Sequence, residues 1–319
     1  MHSFLAPGGN AYIMSVAANQ LSAGNALSAP PAILDFSNAA YLKAAVTAWP
    51  SCASAAAPTA TAAAVDLEAA GGFPLTDITQ GDTNMCSAFA FAQGYSIKYA
   101  LGAVSTGGIV PQLSPVYAYY LQRVEECATT GACPCPKCPT DTCASKCDPP
   151  CVDCGSYILS AGSVYGLGVC TSADWPLTTP MNTPPTAAAR AAAANQRVSG
   201  LSCVPVDPDS IHDHLAAGHP VILFLSITAA HLKWMQSLVN ASTSDTEPSV
   251  TSAALQMVYT AGDKVTAGHV VCAVGYKDGA FIVRNSYGFK WGAQGRFSIP
   301  DSSIVQAFIH EAAAITGVV

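Results

Sequence analysis

Three short segments carry side chains able to do nucleophilic chemistry. They are Gln80-Gly81 with Cys86-Ser87-Ala88-Phe89-Ala90 five residues on, Gly268-His269-Val270-Val271, and Arg284-Asn285-Ser286-Tyr287-Gly288 with Trp291-Gly292 just beyond. A thiol is a useful nucleophile only as thiolate, and its pKa falls at a helix N-terminus and beside an imidazolium. Cys86 stands where an apolar helix should begin, and His269 is the candidate to take and return its proton. A third group must orient that ring, and Asn285 follows His269 by sixteen residues. Gln80, six residues before Cys86, is placed to donate its amide to an oxyanion together with the Cys86 backbone N–H.

The elements that carry these residues must bring them together. Residues 86–99 are nearly all apolar (Phe89, Phe91, Tyr95, Ile97, Tyr99) and read as a buried helix, with Thr83 and Asn84 as candidate caps. Ser114-Pro115 opens a second helix over 114–123, with Ser at the N-cap and Pro in the first helical position. A third helix is expected near 157–165. The second half changes character: 219–225, 270–275, Ala280–Arg284 and 295–299 are short, β-branched or aromatic, and bounded by Gly, Asp or Pro, as strands are. Two antiparallel strands joined at Lys277-Asp278-Gly279 would set His269 beside Asn285. Helices first and strands later predict an α+β fold of two lobes, helical near 80–200 and β-rich near 200–312, with a site between them.

In the order and spacing of these segments the chain resembles the papain-like cysteine peptidases, the cathepsin family. Gln80-Gly81 before Cys86, Asn285-Ser286-aromatic-Gly288 and Trp291-Gly292-x-x-Gly295 carry the likeness. Leu113-Ser114-Pro115, Gly168-Val169-Cys170 ahead of Trp175-Pro176, and Gly218-His219-Pro220-Val221 add to it. Val65-Asp66-Leu67 resembles the start of the mature domain in the more bacterial-looking branch, so the likeness runs from residue 65 to residue 312. It implies a two-lobed fold with Cys86 as nucleophile, His269 as acid and base, Asn285 orienting His269, and Gln80 stabilising an oxyanion. Tyr287 would cover the Asn–His bond, with Trp291 supporting it. Gly155, Ala267 and Gly268 would line the substrate. The implied partner is a peptide or protein, the chain a monomer, and no metal or organic cofactor is required.

Departures from the family pattern are specific. Thr83-Asn84-Met85 precede the nucleophile and Ser87 follows it, where the family usually has Cys-Gly-Ser and Trp; Thr83 cannot form the disulfide often anchored there. Tyr287 replaces the usual Trp, and Gly268 stands where many members carry Asp or Asn. His269 lies 183 residues after Cys86, against ~130–150 in typical members. A cysteine-rich insertion over 127–154 accounts for most of the excess. It reads either as a disulfide knot or, through Cys135-x-x-Cys138 and Cys151-x-x-Cys154, as a zinc site. It ends at Cys154-Gly155-Ser156, where the family has a glycine-containing wall for the substrate backbone. With Cys86 set aside, the other twelve of the thirteen cysteines suit full pairing.

Composition narrows the rest. Of 319 residues 50% are hydrophobic and only 10% charged, against ~25% charged in an average soluble domain. A net charge of −7 without a Lys–Arg cluster disfavours a nucleic-acid binder. The longest strongly apolar stretch, 220–230, falls short of the ~18–20 residues of a membrane span. The cysteine count favours an oxidising compartment, yet the N-terminus shows no basic-then-apolar signal peptide. Residues 1–64, rich in Ala, Ser, Pro and Asn with Lys43 as their one Lys or Arg, read as a prosegment before a peptidase domain over 65–319. Asn240-Ala241-Ser242 is a glycosylation sequon best explained by chance. Two rival functions remain: a silent papain-fold binding protein, and an acyl transferase using the same Cys–His pair.

Overall fold

The computed structural model describes residues 62–72, 77–103, 109–130, 153, 155–156, 158–239, 249–305 and 307–319. Nearly all of the expected prosegment, the cysteine-rich segment 131–152 and the sequon at Asn240 lie outside these residues, and so does the choice between disulfides and zinc.

Helices gather first and strands later, as expected. β1 (Val65–Asp66) leads into α1 (Leu67–Gly71), α2 (Cys86–Ala103), α3 (Pro115–Thr130), α4 (Ile158–Leu167) and α5 (Ala187–Ala193). There follow β2 (Val198–Cys203), α6 (Pro208–Ala216), β3 (Val221–Thr228), α7 (Ala229–Ser237), β4 (Val265–Lys277), β5 (Ala280–Arg284), β6 (Arg296–Pro300) and β7 (Ile309–Val318). The strands form one sheet in the order β2-β7-β3-β4-β5-β6, with β1 added to β4. Every pairing is antiparallel.

α2 is largely apolar around its circumference because every residue from Ser87 to Ile97 is buried. It comes closest to the sheet at Gly94, where a Cβ would lie 2.8 Å from Ile315 and 3.3 Å from Ile222. Its other flank meets α3 and α4: Ser87 Oγ donates to Gln122 Oε1 at 3.0 Å, and Tyr165 Oη donates to the Ala88 carbonyl at 2.7 Å. Ser87 thus stands after Cys86 as a buried hydroxyl with a fixed partner.

Ser114 caps α3 through the Tyr117 N–H at 3.2 Å, but the helix runs on to Thr130. Neither Thr83 nor Asn84 caps α2. Thr83 donates its hydroxyl to the Gln80 carbonyl, and Asn84 turns its amide to Asp153. The first helical bond is Phe89 N–H to Met85 C=O at 3.1 Å, so the helix starts without a polar side-chain cap.

The β4–β5 hairpin turns through Asp278 (φ 53°) and Gly279 (φ 71°), the two left-handed residues of a tight Asp-Gly turn. Neither β2 nor β7 was expected as a strand. β7 contains Ala312-Ala313-Ala314, and alanine has little intrinsic strand preference; pairing with β2 and β3 makes it a strand.

Full pairing of the cysteines does not hold. Cys170 and Cys272 are free thiols with no exposed surface, packed as small apolar side chains. Burial pushes the Cys170 thiol up to about 12 and the Cys272 thiol higher still.

Candidate active site

The hairpin register brings His269 and Asn285 together. Cys272 pairs with Arg284, so Asn285 lies one residue past β5 and reaches back to the residue three before Cys272. His269 Nε2–H donates to Asn285 Oδ1 at 2.9 Å, with both residues buried. The same oxygen accepts the Ser286 N–H at 2.8 Å, which sets the orientation of the amide. This bond assigns the ring proton to Nε2 and leaves the Nδ1 lone pair for proton transfer. Tyr287 stacks on the imidazole, ring centroids 5.5 Å apart and planes 19° from parallel. Trp291 meets Tyr287 edge-on at 5.6 Å and is itself held by Nε1–H donation to the Met235 carbonyl at 2.8 Å.

Cys86 opens α2. β5 pairs with β4 only from Cys272 onward, and the Val270 N–H, outside that ladder, is the group that most favours the Cys86 thiolate. The residue after His269 is therefore near the thiol. The N–H groups of Ser87 and Cys86, freed at the helix start, also favour the thiolate. Burial outweighs them and pushes the thiol up, and the Asp153 charge pushes the same way. Burial likewise holds His269 below its ordinary range, opposed by the Asn285 bond. The helix N-terminus thus acts in the expected direction, but desolvation, which sequence does not display, is the larger effect.

Gln80 is locked on the third side. Its N–H donates to the Ser286 carbonyl at 2.9 Å, its Oε1 accepts the Ser286 hydroxyl, and its Nε2 donates to the Thr83 carbonyl. The amide nitrogen carries a second proton. Gly155 (φ 82°) stands against the nucleophile loop, its Cβ direction 3.9 Å from the Asn84 carbonyl. Gly268 pairs with Ser226 and Ala267 with Ile227. At Gly268 a Cβ would come within 2.4 Å of the Phe224 ring, so in this arrangement the ring lies over the glycine.

Two contributors escaped the sequence reading. Gln93 lies two turns along α2 from Cys86 and donates Nε2–H to the Asn285 carbonyl at 3.1 Å; a lone glutamine in an apolar helix was the available signal. Ser286 clamps Gln80, and no pattern in the sequence announced that contact. Beyond Tyr287 opens a cavity of about 270 Å³ lined by Gly81, Leu232, Met235, Val239, Lys290 and Trp291. Among the described residues no group of His, Cys, Asp and Glu is arranged to hold a metal, and no helix is long and apolar enough to cross a membrane.

Fold and site together define the papain-like cysteine protease fold, with helices preceding an antiparallel sheet. Solved structures agree with it. Xylellain, a cysteine protease from Xylella fastidiosa, aligns with a TM-score of 0.57 and 22% identity over 86% of this chain and 88% of that one. A Carica candamarcensis cysteine protease aligns at 0.52 and 14% over 79% and 97%, and the bromelain protease from Ananas comosus at 0.50 and 17% over 79% and 98%. In sequence, an uncharacterized peptidase C1-like protein of Acanthamoeba polyphaga mimivirus is 57% identical over 35 residues, 10% of this chain and 11% of that protein. No protein-family model matches the chain.

Proposed function

We propose that this protein is a cysteine peptidase that hydrolyses peptide bonds through a thioester on Cys86. The observation that carries the reading is the His269–Asn285 bond at 2.9 Å beneath the stacked Tyr287 ring, with Cys86 at the start of the helix packed against the strand that bears His269. In the reaction, His269 Nδ1 takes the thiol proton as sulfur attacks the peptide carbonyl. The oxyanion is met by the Cys86 N–H and the second proton of Gln80 Nε2. His269 then protonates the departing amine, and water, activated by the same ring, releases the acid from the thioester. Residues 1–64 act as a prosegment in this reading, and Cys203, which is disulfide-bonded, supports maturation in an oxidising compartment.

One observation favours the silent binding protein instead: burial disfavours both the thiolate and the imidazolium, each considered alone. Formed together, the two opposite charges stabilise one another. Titration with a peptidyl epoxide, read by intact mass, separates the readings. One adduct per chain that disappears in Cys86→Ala is expected. A folded chain that forms no adduct under reducing conditions from acidic to mildly basic pH would reject the peptidase.

A further inference from the structure

The nucleophile loop and the glycine wall opposite it must keep a fixed separation if a substrate backbone is to lie between them. Thr83 offers no sulfur for a disulfide at the loop. A different connection stands there. The Asn84 N–H donates to both carboxylate oxygens of Asp153, at 3.1 and 3.0 Å, and Asn84 Nδ2 donates to the Asp153 carbonyl at 3.0 Å. The Tyr119 hydroxyl on α3 donates to Asp153 Oδ1 and in turn accepts the Gly155 N–H at 2.9 Å. Tyr119 has no exposed surface, and the Arg123 guanidinium lies 4.3 Å from its ring centroid. We infer that Asp153 is a positioning residue that binds the nucleophile loop to the Gly155 wall, with three hydrogen bonds on its carboxylate and one on its backbone carbonyl.

The inference rests on Cys86 as the nucleophile and adds to it. Asn84 is two residues before Cys86, and Asp153 two before Gly155, so one side chain sets both walls of the cleft. It also carries a charge. The ionisable groups facing Asp153 are Tyr119, whose phenol burial keeps protonated, and Cys86, with Arg123 beyond the tyrosine ring. A negative carboxylate near Cys86 disfavours its thiolate, so neutralising Asp153 should ease thiol ionisation.

The test compares the full-length chain with Asp153→Asn and Tyr119→Phe, using two reagents of different demands. A peptidyl epoxide needs the walls aligned, whereas iodoacetamide needs only the thiolate. Asp153→Asn should slow the epoxide about tenfold to a hundredfold, the scale of a small misplacement of reacting groups. It should leave iodoacetamide able to react, with the pH midpoint of alkylation moved lower. Tyr119→Phe keeps the charge, so it should slow the epoxide without moving that midpoint, and it decides the matter if Asp153→Asn does not fold. Wild-type epoxide rates in the folded variants would overturn the inference, as would an unmoved midpoint in Asp153→Asn. Failure of Cys86 in the unaltered chain to react with either reagent would instead reject the peptidase reading.

Discussion

Glu68 and Arg284 form a two-pronged ion pair that joins α1 to the residue before Asn285. Arg284 Nε donates to Glu68 Oε1 at 2.7 Å, its Nη2 donates to Oε2, and its Nη1 donates to the Gln294 carbonyl. The two side chains are 9% and 6% exposed. Removing one partner strands a buried charge, so Glu68→Ala should lose about 3–5 kcal/mol of unfolding free energy. Replacing both, as in Glu68→Leu with Arg284→Met, should recover most of it. Urea unfolding of the three variants checks this; an additive double variant would show that the pairing is not the source of the loss.

Tyr287 shields the His269–Asn285 bond. Tyr287→Ala should admit water, lower kcat/KM roughly tenfold and let the His269 pKa rise toward its ordinary value, since burial is what depresses it. Tyr287→Trp should retain the cover and the rate. Peptide-cleavage kinetics and NMR titration of the imidazole measure the two effects separately.

Gly268→Ala should cost less than the about 1–3 kcal/mol of overpacking a closed core. The atoms in the way are the far edge of the half-buried Phe224 ring, and Gly268 itself is exposed, so the ring can turn aside. Phe224→Leu in the same chain should remove what cost remains. A melting temperature lowered as far as by a core overpacking substitution would show that the ring is held in place.

Stability should fall in acid. Burial holds His219 down to about 4, with Lys98 and His214 acting in the same direction. A base with a depressed folded pKa contributes stability above its unfolded value. That contribution is lost as pH falls from about 6.5 toward the folded value. For this half-buried group the loss should be about 1–2 kcal/mol. His214, His269 and His310 have the same sign, whereas Glu311, raised by burial, has the opposite one. Urea midpoints at neutral and acidic pH should differ less in His219→Gln than in the unaltered chain.

Much of this architecture is written locally. An apolar run opening at Cys86, Ser114-Pro115 at the head of α3, and Asp278-Gly279 between two β-branched stretches each specify an element through short-range sterics and hydrogen bonding. The hairpin turn fixes the pairing beside it, so the sixteen-residue spacing already placed His269 and Asn285 on neighbouring strands, while the bulge between Ala273 and Gly275 that shifts the register before Arg284 came from the packed sheet. The tertiary structure alone decided what surrounds them. Gln93 at the Asn285 carbonyl, Ser286 clamping Gln80, Phe224 on Gly268 and Asp153 tied to Asn84 are contacts between segments far apart in the chain, and no local pattern encodes them. The same holds for the electrostatics. A helix N-terminus can be read from sequence, but the desolvation that outweighs it at Cys86 depends on which atoms exclude water, and only the packed chain sets that.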